Sequence, residues 1–182
     1  MTIEKTKLDG VLLIKPDVFK DGRGYFFESF NKIKFEQSGL NFNFIQDNVS
    51  RSCYGTIRGL HYQVGDNAQG KLCQVIYGCV LDVAVDIRFG SPTFGEYAAF
   101  ELSDKNNHQL WIPPGFAHGF SVLSDEALFY YKCTAPYSKP DERSIRFDDP
   151  EIGVAWQIVN PVVSEKDLAA KRFKDIEKDF TY

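Results

Sequence analysis

From residue 44 onward the chain is written in short alternating runs, apolar at every second position, with turn residues between them. The clearest is "CVLDVAVDIR". In an extended strand Leu81, Val83, Val85 and Ile87 share one side, and Asp82, Ala84, Asp86 and Arg88 share the other. Such a strand is expected to lay one face on a packed core and turn the other toward something polar. "FIQDNVSRS", "IRGLHYQ", "GKLCQVIYG", "EYAAFEL", "HQLWIPPG", "HGFSVLS" and "ALFYYKCTA" read as further strands. Gly78, Gly90, "SDKNN" and "PPG" punctuate them at the spacing of about 8–12 residues typical of a sandwich or barrel. Ahead of them, "DGRG" is a turn leading into an aromatic strand. Helical patterns are scarce. "NKIKFEQSG" predicts a short helix with Asn31 as N-cap and Gly39 as its stop. "SEKDLAAKRFKDIEKDF", with apolar Leu168, Ala169, Phe173, Ile176 and Phe180, predicts a longer one over about 164–180. The expected architecture is one all-β domain over residues 1–182, a barrel or jelly roll with short peripheral helices. A barrel of that size encloses room for one small ligand.

Composition narrows the picture only slightly. Sixteen Phe, nine Tyr and eight Pro against one Met suit a β core with many turns. A net charge of −4 supplies no broad basic field, so nucleic acid is not an expected partner. "VLLI" is far too short to span a bilayer, and "MTIEKTKLDG" has no apolar stretch of a secretory signal, so the expected setting is cytoplasmic and free of membrane. The four cysteines form no C-x-x-C pair and are expected as reduced, mostly buried thiols.

Chemistry is expected where polar residues fall on inward strand faces. Arg58 and His61, three positions apart, lie on opposite faces of a regular strand, but Gly59 permits a bulge that turns both inward. His61 reads either as a hydrogen-bonded core histidine or as a pocket base. Lys71, opening a strand, is either a solvated edge residue or a fixed positive charge for a developing oxyanion. Tyr131 shares a face with Phe129 and Cys133 and is either packing or a proton donor. Asp167 lies three residues after Ser164, in the pattern of a helix cap, and is alternatively a carboxylate that accepts Nδ1–H of His61. Arg23, Arg58 and Lys166 are available as an anion cluster. His118 ends a P-x-G-x-x-H pattern, Pro113 to His118, found in cupin-like jelly rolls. The H-x-H that accompanies it in metal-binding cupins is missing, since "GLHYQ" holds one histidine. Two scattered histidines make a poor metal shell, so no metal site is expected. Neither G-x-G-x-x-G nor a P-loop occurs, and no cofactor is expected.

Nine segments together resemble one family, the dTDP-4-dehydrorhamnose 3,5-epimerases. They are "DGRGYFFESF", "FIQDNVSRS", "IRGLHYQ", "NAQGKLCQV", "DVAVDIR", "SPTFGEY", "QLWIPPGFAHGF", "FYYKCTAPY" and "SEKD", in the family's order. The resemblance implies a cupin-like jelly roll acting on dTDP-4-dehydro-6-deoxyglucose in dTDP-L-rhamnose biosynthesis, inverting C3 and C5 by proton removal and return. It implies His61 as base, Asp167 as its partner, Lys71 beside the 4-keto oxygen and Tyr131 as acid on the opposite face. His118 and Asp82 match further pocket positions. Arg23 and Arg58 are implied on the diphosphate, and Glu28, Gln46, Asp47 and Asn48 around the thymidine. Phe26 and Tyr137 are implied to stack on the thymine, with Glu142 and Lys166 as further ligand contacts. It also implies a homodimer in which N-terminal residues of one chain complete the site of the other. The rivals are a single-centre epimerase or keto isomerase on the same scaffold, a metal-dependent cupin dioxygenase, and a non-catalytic sugar-binding cupin.

Overall fold

Where the alternation is strongest, the chain does form strands. The structure, a computed structural model, describes residues 1–182. In order come β1 (Thr2–Lys5), β2 (Leu12–Lys15), β3 (Phe19–Asp21), β4 (Gly24–Phe26), α1 (Lys32–Gln37), β5 (Gln46–Cys53), β6 (Ile57–Gln63), β7 (Lys71–Tyr77), β8 (Cys79–Asp86) and β9 (Tyr97–Ser103). Then follow β10 (Gln109–Ile112), β11 (Phe116–Val122), β12 (Glu126–Cys133), β13 (Glu142–Ser144) and α2 (Glu165–Leu168). A six-stranded sheet runs β1-β2-β10-β7-β12-β5 and faces a five-stranded one, β13-β6-β11-β8-β9, every pairing antiparallel. This is the expected all-β, cupin-like jelly roll. β3 and β4 form a separate hairpin with Phe19 and Phe26 largely exposed.

Three apolar layers hold the sheets. Between them lie Val75, Val80, Ala84, Leu102, Leu110, Phe120 and Phe129, drawn from both sheets. Each fully buried side chain of this kind contributes about 1.5–3 kcal/mol. The outer face of the five-stranded sheet carries Ile57, Leu60, Leu81, Val83 and Val85, roofed by Ile145, Phe147, Trp156 and Phe173. Outside the six-stranded sheet, α1 lays Phe35 on Ile14, Leu72 and Trp111. Asn31 caps that helix by accepting from Lys34 N–H, and Gly39 ends it at φ +81°.

Two expectations change. β8 buries both faces, not one, because the sandwich core and the outer roof cover it from either side. Its carboxylates are paired within the protein: Asp82 meets His118, and Asp86 accepts from Arg88, Ser91 and Thr93. The helix expected over 164–180 stops at Leu168. Beyond it only Phe173–Asp175 makes a short 3-10 turn. The apolar residues of that segment serve the roof instead: Phe173 is buried, and Ile176 and Phe180 pack beside it. Parallel bridges from Ile145 to Lys171 and from Phe89 to Thr181 hold the backbone extended. Docking on a sheet rewards the apolar positions more than a free amphipathic helix would.

Candidate active site

The sandwich is left open where β6, β11, β7 and β12 converge. A cavity of about 550 Å³ there is lined by Arg58, His61, His118 and Phe120 from the five-stranded sheet and by Ser50, Lys71, Phe129 and Tyr131 from the six-stranded one. Val162, Val163, Ser164, Lys166 and Asp167 close one side. A second cavity, of about 630 Å³, lies at the other ends of β7 and β12; Glu101, Asp104, Asp125 and Glu126 line it, and no histidine does. Its acidic wall suits an anionic substrate poorly, whereas Arg58, Lys71 and Lys166 give the first cavity a positive one.

The expected bulge in β6 is present. His118 pairs with His61 and Phe120 with Arg58, so β6 carries one residue more than β11 over the same span. Gly59 makes this possible. Its φ is +133°, and a Cβ there would stand 2.5 Å from Cα of Gly119 and 2.9 Å from the carbonyl oxygen of His118. The extra residue brings both Arg58 and His61 to the cavity. Arg58 Nε donates to Ser52 Oγ at 3.0 Å, which steadies the guanidinium.

His61 is not sealed in the core; its side chain keeps 29% of its surface exposed, and Nε2 lies 2.6 Å from Asp167 Oδ1. The contact is to Nε2, not to the expected Nδ1, because the carboxylate arrives from α2, outside the sheet. Capping and pairing coexist: Ser164 Oγ accepts from Asp167 N–H, while the carboxylate serves the histidine. Burial disfavours charge on Asp167, but the bonds from His61, Ser164 and the Gly59 N–H outweigh it and hold the carboxyl below its usual range. At the back of the cavity a second pair is closed by His118 Nε2 and Asp82 Oδ1, 2.6 Å apart, with Cys73 Sγ 3.7 Å from the same nitrogen. Burial lowers the pKa of His118.

Lys71 is a buried pocket residue rather than a strand-edge one, and burial lowers its pKa. Its ammonium stands 6.0 Å from the ring centre of Tyr131. Burial pushes the Tyr131 hydroxyl up to about 12, so it carries its proton at neutral pH. At the rim, Lys166 pairs with Glu142 at 2.6 Å, and Tyr137 donates to the same carboxylate at 3.1 Å. Gln46 and Asn48 are bonded to each other, Gln46 accepts from Tyr137 N–H, and Asn48 reaches Cys133 Sγ.

Four expected contacts lie elsewhere in this chain. Asp47 falls on the outer face of β5, bonded to Lys132 and Tyr130, because alternation sends it opposite Gln46 and Asn48. Arg23, Phe26 and Glu28 do not line the cavity: Arg23 pairs with Asp21, Phe26 is exposed, and Glu28 is held by Lys34 and Asn31. Sequence reading also passed over the apolar lining. Phe120 and Phe129 stack at 4.3 Å, and their inward positions in two alternating strands were the available signal.

The chain matches the family model described as dTDP-4-dehydrorhamnose 3,5-epimerase over residues 5–175. A protein of that name from Shigella flexneri is 51% identical over 178 residues, covering 97% of this chain and 98% of its own. A crystal structure of dTDP-6-deoxy-D-glucose-3,5-epimerase from Legionella pneumophila, in complex with dTDP-4-keto-L-rhamnose, is 46% identical with a TM-score of 0.95, covering 100% of this chain and 98% of that one. A 3′-monoepimerase from Streptomyces bikiniensis, solved with dTDP-quinovose, is 32% identical with a TM-score of 0.87, covering 93% and 86%.

Proposed function

The chain belongs to the dTDP-4-dehydrorhamnose 3,5-epimerase family, and from this we infer how its cavity inverts dTDP-4-dehydro-6-deoxyglucose at C3 and C5. The observation that carries the reading is that His61 and Tyr131 stand on opposite sheets around one cavity, with Lys71 beside the tyrosine.

A keto group at C4 acidifies the C–H bonds of both neighbouring carbons. His61, oriented by Asp167, takes one of those protons. The electron pair of the broken bond moves into the ring and charges the former carbonyl oxygen. Lys71 faces that charge, and a donor so placed is commonly worth roughly 100- to 1,000-fold in rate. Tyr131 then gives its proton to the carbon from the other face, and the centre is inverted. The tyrosine is re-protonated and the histidine discharged by solvent, and the cycle repeats at the second carbon. Only protons are exchanged, so the reaction has no oxidant or reductant to balance and asks for no redox cofactor.

For the nucleotide, Arg58 and Lys166 are the cations available to the diphosphate, with Gln46, Asn48, Tyr137 and Glu142 around the mouth. His118 and Asp82 form the back wall behind the sugar. Arg23, Phe26 and Glu28 are proposed to act across a homodimer. Their positions outside their own cavity support that reading, as does the exposed aromatic hairpin that carries Phe26. No helix is long and apolar enough to cross a membrane, and a small nucleotide-sugar substrate suits a cytoplasmic, single-domain enzyme.

The test is an incubation with dTDP-4-dehydro-6-deoxyglucose in deuterated water, following label by NMR. Deuterium at C3 and C5 with the L-lyxo product is expected. Label at one carbon alone would make this a single-centre enzyme like the Streptomyces relative, and label at neither would remove the activity.

A further inference from the structure

Cys73 has no part in the epimerase chemistry, yet it lies buried behind the cavity, against His118 of the cavity lining. Cys73 Sγ, His118 and Asp82 bring one donor atom each within 4.8 Å of one another, and all three residues are buried. A second observation points to a missing ligand. Asp82 Oδ2 is buried without any hydrogen-bond partner, while its other oxygen serves His118. An orphaned carboxylate oxygen in the interior is costly and calls for an explanation.

The spacing suits a tetrahedral ion. Bonds of about 2.0–2.3 Å at tetrahedral angles set neighbouring donors roughly 3.4–3.6 Å apart. The Cys73 Sγ to His118 Nε2 distance, 3.7 Å, already has that size. The His118–Asp82 contact, 2.6 Å, is shorter, so an ion would replace that hydrogen bond and part the two side chains by about 1 Å. Thiolate, imidazole and carboxylate together select a thiophilic divalent cation over magnesium or calcium.

We propose that Cys73, His118 and Asp82 form an inhibitory site for Zn2+ or Cd2+ behind the substrate cavity, with His118 the ligand that also lines it. Binding forms the metal–sulfur, metal–nitrogen and metal–oxygen bonds. The Cys73 thiol loses its proton to solvent, and the hydrogen on His118 Nε2 is relocated to Nδ1. Of the three ligands His118 lines the substrate cavity, and ligation ties it to the ion and takes it from the wall behind the sugar. Metal and substrate therefore exclude each other. This last step rests on the epimerase reading, whereas metal binding itself does not.

Titration of the purified protein with Cd2+, watched by its thiolate-to-metal absorption and by calorimetry, tests binding without any turnover. One equivalent with the absorption band is expected in the wild type and in Cys53→Ser, the exposed thiol. Cys73→Ala loses the band, as does Cys73→Val, which keeps the volume should the alanine variant be unstable. Absence of the band in the wild type, its survival in Cys73→Ala, or its loss in Cys53→Ser would overturn the site. In turnover assays Zn2+ is expected to inhibit reversibly, with EDTA restoring activity. Measured against its own metal-free rate, Cys73→Ala is expected to need at least roughly 10- to 100-fold more Zn2+ for half-inhibition. Equal sensitivity would overturn the inhibitory role even if the binding signal stood.

Discussion

His61–Asp167 and His118–Asp82 are both closed by 2.6 Å contacts to a histidine Nε2, yet they are assembled from different material. The inner pair joins neighbouring strands, β8 and β11, whose ladder sets His118 beside Asp82 through the adjoining Phe120↔Asp82 and His118↔Ala84 pairs. It is buried, and it shares its wall with Cys73 and Phe129. The outer pair joins a bulged strand to a one-turn helix 106 residues later, and its histidine keeps partial access to the cavity. Sheet register makes a rigid wall; the bulge and the capped turn make a group that can exchange protons with a substrate. The same two residue types thus become scaffold in one place and, in the proposed mechanism, reagent in the other.

The strongest way to break this contrast is to remove each histidine in turn. His61→Ala is expected to lower turnover by roughly 100- to 10,000-fold and to abolish deuterium uptake. His118→Gln, which keeps a donor for Asp82, is expected to raise KM more than it lowers exchange. Equal loss of exchange in both would erase the distinction. Lys71→Ala comes next, with roughly a 100- to 1,000-fold fall expected in kcat; a change confined to KM would leave Lys71 only a substrate holder. Tyr131→Phe is expected to keep much of the exchange while losing epimerised product, and parallel loss of the two would count against a separate acid.

Acid unfolding sharpens the comparison further. Below the usual histidine value of 6.5 the unfolded chain takes up a proton that buried His118 refuses, so stability falls as pH drops through that range. Asp167 acts in a lower window. Its folded pKa is depressed, so the stability it supplies is present above the ordinary carboxylate value of 3.8 and lost as pH falls through the folded one. Chemical denaturation at stepped pH is expected to show the first loss shrink in His118→Gln and the second in Asp167→Asn. The smallest effect belongs to Ser164→Ala, which removes the cap of α2 at a cost of about 1 kcal/mol. Its catalytic defect should be milder than that of His61→Ala.

What was legible from sequence divides along the same line. Strand alternation revealed β8 as a strand, though not that both its faces are buried, and it revealed β12 with the inward side of Tyr131, where period 2 and burial coincide. The bulge was foreseeable from Gly59 lying between Arg58 and His61. Alternation also contained the answer for Asp47, whose neighbours Gln46 and Asn48 take the other face of β5. The segment after Leu168 was misread because apolar residues that dock on a sheet from outside obey the shape of the roof, and their spacing imitates a helical stripe. Which nitrogen of His61 meets Asp167 depends on the direction from which α2 approaches, and no local pattern encodes that. The orphaned oxygen of Asp82 was equally hidden, since it reflects how three strands meet in space.

The long reach from His61 to Asp167 also has a meaning in time. On the ribosome all thirteen strands are synthesised before Asp167 is, so a jelly roll can close around its cavity while His61, the proposed base, still lacks its carboxylate. Competence is conferred last, by a single short turn docking against a strand that was made more than a hundred residues earlier.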